Sequence, residues 1–403
     1  MRGVPKVSGV RRSIRPRNGP GEHAWPARLR RLGEGTPLTL LAVALVAVTS
    51  HAALIWHHAV PDFDTDTFIN RANGGCDPNW IRKGMGDTAH PLGNALTPQA
   101  ECLFHGSGVL TPAQFWYLAL TVAVVVIVGL VAAAARVVGA GEARAALAIA
   151  YLGMSPAMRT MSTRADEKWI GSMLFLVVVL AMWWFHAAPG ISRPRLGVLV
   201  VTSTVLGLWH TQYLIILGVA LGLWGAAALI RPGAVATTRR KAVAMAAAVL
   251  VPPAVAVGLM LWTGYVTGVA YQQKFLSIFN PDAWHGPVPW VHDFLTYSAR
   301  WLPGWLENDG AQEVMFPAPR GAGYVVLGIA AVVLVLAVAA STRNALLCAV
   351  VVGTLALPFM YEPDNAERWD ALSVAFALCL AVGACARDPR PATGARSVDD
   401  PDG

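Results

Sequence analysis

The chain has 403 residues, of which 55% are hydrophobic and only 14% charged, and its mean hydropathy is +0.49. That composition excludes an ordinary soluble domain and indicates a polytopic membrane protein. The net charge of +7 comes from the edges of the apolar runs, where anionic lipid headgroups explain it better than nucleic acid does.

Residues 1–36 carry Arg11, Arg12, Arg15, Arg17, Arg28, Arg30 and Arg31 among Pro and Gly, without apolar periodicity. They read as a disordered basic segment that anchors topology. The first apolar run, 38–59, is longer than a signal-peptide core and lacks a convincing cleavage site, so it reads as a retained signal anchor. A long polar loop, 60–113, follows and opens with Asp62-Phe63-Asp64-Thr65-Asp66. Alternate positions of a non-helical segment put these three carboxylates on one side. They suit a general base on an acceptor hydroxyl with a positioning partner. They equally suit a hard divalent cation, Mg or Mn, with Asp62 and Asp64 as ligands. The structural alternative makes Asp62 or Asp66 an N-cap for Thr67-Phe68-Ile69-Asn70. Cys76 and Cys102 share this loop. A disulfide between them is an expectation for an oxidising compartment, though spacing alone does not establish it.

Apolar runs at 114–135 and 145–158, the second marginal in length, lead to a polar strip from Arg159 to Lys168. Arg164 and Lys168 stand four residues apart, so on a helix both face one way and can hold a lipid-linked phosphate; a solvated turn with local ion pairs is the alternative. After a run at 169–188, residues 196–230 form a charge-free stretch too long for one helix. Trp209-His210-Thr211-Gln212-Tyr213 divides it into two short helices meeting at a polar tip. There His210, Gln212 and Tyr213 either line a cleft or hydrogen-bond between helices. A run at 242–268 precedes a second long loop, 269–320, rich in Trp, Phe and Pro. This loop reads as interfacial anchoring, or as an aromatic platform for sugar or lipid, with 291–306 partly an amphipathic surface helix. The last runs are 321–341, 344–361 and 369–386. Between the final two, Glu367 and Arg368 beside Trp369 offer a cleft-lining acid and a bidentate phosphate donor, or alternatively caps and salt bridges. Cys348, Cys379 and Cys385 lie inside apolar helices as small core residues. Residues 387–403 read as a disordered tail.

The fold expected is therefore all-α and polytopic, with about ten transmembrane helices spanning 37–386 and two large external loops. Lys and Arg concentrate on the side that holds both termini, which places that side in the cytoplasm of a plasma-membrane protein. The chemistry then belongs to the external face. No Walker loop, dinucleotide fingerprint, HExxH or Gly-x-Ser-x-Gly elbow appears. An external enzyme of this kind needs a donor already carried across the membrane.

A first helix, a large external loop opening on acids and many further helices together resemble the GT-C class of integral-membrane glycosyltransferases. Asp62-Phe63-Asp64 looks like the acidic pair of such enzymes. The resemblance implies a polyprenyl-phosphate-linked sugar donor, with Asp64 as the base on the acceptor and Arg164, Lys168 and Arg368 at the donor phosphate. By analogy the sugar is mannosyl- or arabinosyl-type and the acceptor a cell-envelope glycan, glycolipid or protein. The reading from another class is a transporter or flippase for lipid-linked or anionic solutes.

Overall fold

The computed structural model describes residues 37–58, 91–137, 141–155, 157–158, 167–230, 235, 237–266, 345–356 and 370–382. In chain order the helices are α1 Pro37–His58, α2 Pro91–Gly106, α3 Pro112–Val137, α4 Glu142–Met154, α5 Glu167–Ala187, α6 Arg193–Trp209, α7 Gln212–Ile230, α8 Arg239–Val266, α9 Ala345–Thr354 and α10 Asp370–Val382. Among the described residues none is in a strand. The helices α1, α3, α5, α7 and α8 are long and apolar enough to cross a membrane, and the protein is an α-helical membrane protein. The apolar helices α9 and α10 are shorter, and α4 and α6 have 13 and 17 residues. The expected run at 321–341, loop 269–320 and both terminal segments lie outside the described residues.

One end of the bundle is basic, and its cations close helix termini. The last carbonyls of a helix lack intrahelical partners and carry the negative pole of its dipole. At the end of α5, Arg195 Nη1 donates to Trp184 O at 2.6 Å, and its guanidinium lies 4.7 Å from the Trp184 ring centre. The buried Lys241 Nζ donates to His186 O at 2.7 Å and also to Ala188 O. At the end of α7, Arg239 Nε donates to Leu229 O at 2.9 Å. Arg136 at the end of α3 pairs with Glu142 at the start of α4, at 3.5 Å. Every described arginine lies at this end. The basic residues at this end thus also cap the helices they flank.

Between the ends, the bundle is held by close approaches at small residues, the usual route where lipid offers no hydrophobic drive for helix association. α8 runs through Pro252 and Pro253. A proline at 252 has no N–H to give to the carbonyl four residues earlier, Ala248. Ser203 of α6, fully buried, brings a donor to that carbonyl at 3.1 Å, its one hydroxyl proton shared with Val200 O of its own helix at the same distance. Four residues on from Ser203, one turn along α6, Gly207 leaves the space that Pro253 enters: a Cβ there would lie 2.6 Å from Pro253 Cβ. Ser203→Ala is expected to destabilise by about 1 kcal/mol, the scale of one lost net hydrogen bond. In a Pro252→Ala background, which restores the helical N–H, the same substitution should be close to neutral. Equal cost in both backgrounds, measured by thermal unfolding in detergent, would remove this pairing from the account.

The helix α4 stops at Met154, four residues before the run of apolar residues does. Ser155 is extended (φ −60°, ψ 123°) because Pro156 follows and disfavours the helical region for its predecessor. Ser155 Oγ then meets Ser373 Oγ at 2.8 Å, joining α4 to α10. Val46, Val201, Leu259 and Trp262 stay exposed on the outside of the bundle and form part of its lipid-facing surface.

Candidate functional site

Opposite the basic end, polar side chains turn inward. The helix α6 ends where His210 goes extended (φ −152°, ψ 97°), its N–H still bonded to Leu206 O at 2.8 Å. The carbonyls of His210 and Thr211 take the first N–H groups of α7, from Tyr213 at 3.2 Å and Leu214 at 3.0 Å. The chain therefore reverses through two non-helical residues, a narrower break than the five-residue polar group suggests. His210, Thr211, Gln212 and Tyr213 are all buried.

The tyrosine ties this turn to α5. Its hydroxyl meets Ser172 Oγ at 2.8 Å. Its ring stacks on Phe175 (centroids 5.3 Å apart, planes 25°) and takes the His210 ring edge-on at 4.8 Å. Gly171 permits the approach, since a Cβ there would lie 2.8 Å from Tyr213 Cε2. At about 1.5 Å per residue along α5 and α6, this layer sits roughly 25 Å from the basic end.

Above it lies α2, inside the segment expected to be the first external loop. Its boundaries have local causes. Pro91 and Pro112 open α2 and α3 at the position where a missing N–H is harmless. The turn between the helices uses Gly108 at φ 70°, with Gly108 N–H and Val109 N–H bonded back to His105 O and Phe104 O. Thr111 and Gln114 then form a reciprocal capping box: Gln114 N–H donates to Thr111 Oγ1 at 3.2 Å, and Thr111 N–H to Gln114 Oε1 at 3.0 Å.

These caps place α2 against α3, α5 and α6 in an unusual sense. Gly93, Thr97 and Glu101, spaced four apart on one stripe, are buried, whereas Leu96, Leu103 and Phe104 are exposed. The polar face looks into the protein and the apolar face outward, the orientation suited to a helix resting in the membrane interface. Glu101 is 0% exposed, and among the described residues neither carboxylate oxygen has a hydrogen bond of ordinary geometry. Burial pushes its pKa up to about 8, and the neighbouring Trp116 side chain on α3 lowers it in part. Around this level, the fully buried Trp169 of α5 donates from Nε1 to Leu120 O of α3 at 3.3 Å.

Of the residues that sequence reading singled out, His210, Gln212 and Tyr213 come together in the buried turn. Lys168 lies in the first turn of α5, at the same end, its side chain outside the described set. Asp62, Asp64, Asp66, Cys76, Arg164, Glu367 and Arg368 lie outside the described residues. Cys102 on α2 is disulfide-bonded, its partner outside them as well. Among the described residues no group of three or more His, Cys, Asp or Glu side chains could hold a metal ion; the acidic run is not among them. Sequence reading missed Glu101. Its signal was there as an acid one helical turn from Thr97, between Pro91 and the Thr111–Gln114 box. Comparison of the chain with protein-family models, curated proteins and solved structures finds no match.

Proposed function

We propose that this protein is a membrane glycosyltransferase of GT-C-like plan, moving a mannosyl- or arabinosyl-type sugar from a polyprenyl-phosphate donor to a cell-envelope acceptor on the external face. The reading rests on about ten spans, with the basic end cytoplasmic by the positive-inside rule. One observation carries it: among the described residues most of the buried polar side chains lie toward the two ends of an apolar bundle, with a buried acid and the His210–Tyr213 turn opposite the arginines. A transport path would need polar groups lining the middle as well. Between the ends the described buried polar side chains are few: Ser203 lies against the proline gap of α8, Ser155 and Ser373 bond each other, and His51 stands in α1.

In this mechanism Asp64 takes the proton of the acceptor hydroxyl, Arg164, Lys168 and Arg368 offset charge on the departing lipid phosphate, and grooves between helices hold the prenyl chain. Asp62 and Asp64 are the residues that would hold a divalent cation, which would add charge stabilisation at that phosphate. The test is transfer from a panel of radiolabelled polyprenyl-phosphate sugars by the purified full chain in lipid vesicles. Transfer with one donor is the expected result. No transfer with any donor, together with uptake or flipping of a lipid-linked or anionic solute, would replace this reading with the transporter one.

A further inference from the structure

Three features of α2 belong together. It buries a stripe that carries an acid, its exposed face is apolar, and the acid is fully buried with no hydrogen bond of ordinary geometry among the described residues. A helix of 16 residues is marginal on its own in water, so α2 persists by docking on α3, α5 and α6. Docking desolvates Glu101, and desolvation penalises only the charged carboxylate. We propose that α2 is a proton-controlled cover over the end of the bundle that holds the His210–Tyr213 turn, docked when Glu101 is protonated and released when it ionises. The inference does not depend on the glycosyltransferase reading.

Among the described residues of α2 and the helices packed against it, Glu101 is the buried carboxyl. On α3, Tyr117 follows Trp116 and packs edge-on against Trp56 of α1, while Arg136 is at the basic end. On α5, Glu167 and Lys168 open the helix at this end, and His186 sits at the basic end beside Trp224. On α6, Arg193 and Arg195 are at the basic end, and the following His210 packs on Tyr213. On α2 itself, His105 is exposed and Cys102 is disulfide-bonded.

The sign follows from linkage. The docked state holds the proton more tightly than the undocked state, whose carboxyl has the ordinary value. Docking is therefore strongest below the ordinary value of 4.5, weakens as pH rises, and levels off above about 8. Within that window the docked-to-undocked ratio falls roughly tenfold per pH unit.

Amide hydrogen exchange on the full chain in lipid nanodiscs, read by mass spectrometry at several pH values and corrected for intrinsic rates, tests this. Protection across 91–106 should fall about tenfold per unit between roughly pH 5 and pH 8. The α8 peptide, 239–266, should stay constant as the internal control. Glu101→Gln, which mimics the neutral acid in shape, should keep α2 protected at every pH. Protection of α2 that is constant with pH in the unaltered chain would overturn the proposal, as would a fall that persists in Glu101→Gln. A fall shared equally by α8 would also overturn it, since the pH effect would then belong to the whole bundle.

Discussion

Asp64→Asn is expected to lower the rate of glycosyl transfer by roughly 10²–10⁴-fold, the range that a positioned general base contributes. Asparagine keeps the size and hydrogen-bonding reach of the aspartate but cannot take a proton from the acceptor hydroxyl. The loss should appear in kcat, with little change in KM for the lipid donor, because the proposed mechanism assigns the prenyl chain and its phosphate to other residues. Asp62→Asn and Asp66→Asn should cost less if their role is positioning or capping. A metal role has a different signature: Asp62→Asn and Asp64→Asn would both raise the Mg or Mn concentration needed for half activity, and added metal would recover part of the rate. Full activity in all three variants would remove the acidic run from the mechanism. Because Glu101 sits in the same segment between α1 and α3, Glu101→Gln is the informative companion. A buried acid that controls docking changes the pH profile of transfer and leaves its maximum near the unaltered value.

Much of the helical framework was legible from apolar runs bounded by charge or proline. The runs at 38–59, 114–135, 169–188 and 242–268 match α1, α3, α5 and α8 to within a few residues. The division of 196–230 also followed from sequence, because a polar group in a charge-free stretch has to find partners or break the helix. What the apolar pattern could not show was α2. Its outward face is apolar and its inward face polar, so a reading that equates apolar with buried sees only a loop. Capping chemistry marks only its borders: Pro91 can open a helix, and Thr111-Pro112-Ala113-Gln114 starts α3 after it. The α6–α8 contact was hidden for another reason. Pro252-Pro253 reads as a helix breaker, and nothing local says that Ser203 and Gly207, some fifty residues earlier, exist to accommodate it. In the candidate site the polar turn was legible as a place, whereas the partnership of Tyr213 with Ser172 depends on how α5 and α7 pack.

The second large effect concerns the contact between α7 and α9. Gly353 lies against the backbone of α7: a Cβ there would sit 2.7 Å from Ile216 O, 2.9 Å from Ala220 Cβ and 3.0 Å from Ala220 N. Two of these atoms are main chain, so no rotamer change can relieve the clash, and α9 has to move away. Gly353→Ala is expected to destabilise by about 2–3 kcal/mol, at the upper part of the usual overpacking range. The shift reaches α10, because the buried thiols of Cys348 on α9 and Cys379 on α10 belong to the same core. Labelling by a thiol-reactive dye during a thermal ramp reports it directly, and the variant should react at a lower temperature than the unaltered protein. Gly222→Ala is the control. It lies on α7 with nothing within 4 Å of the added carbon, and the gain in helix propensity should leave stability unchanged or slightly higher. Equal behaviour of the two variants would mean that α9 does not pack on α7 through Gly353, and with it would go the argument that small residues set the helix spacing in this bundle.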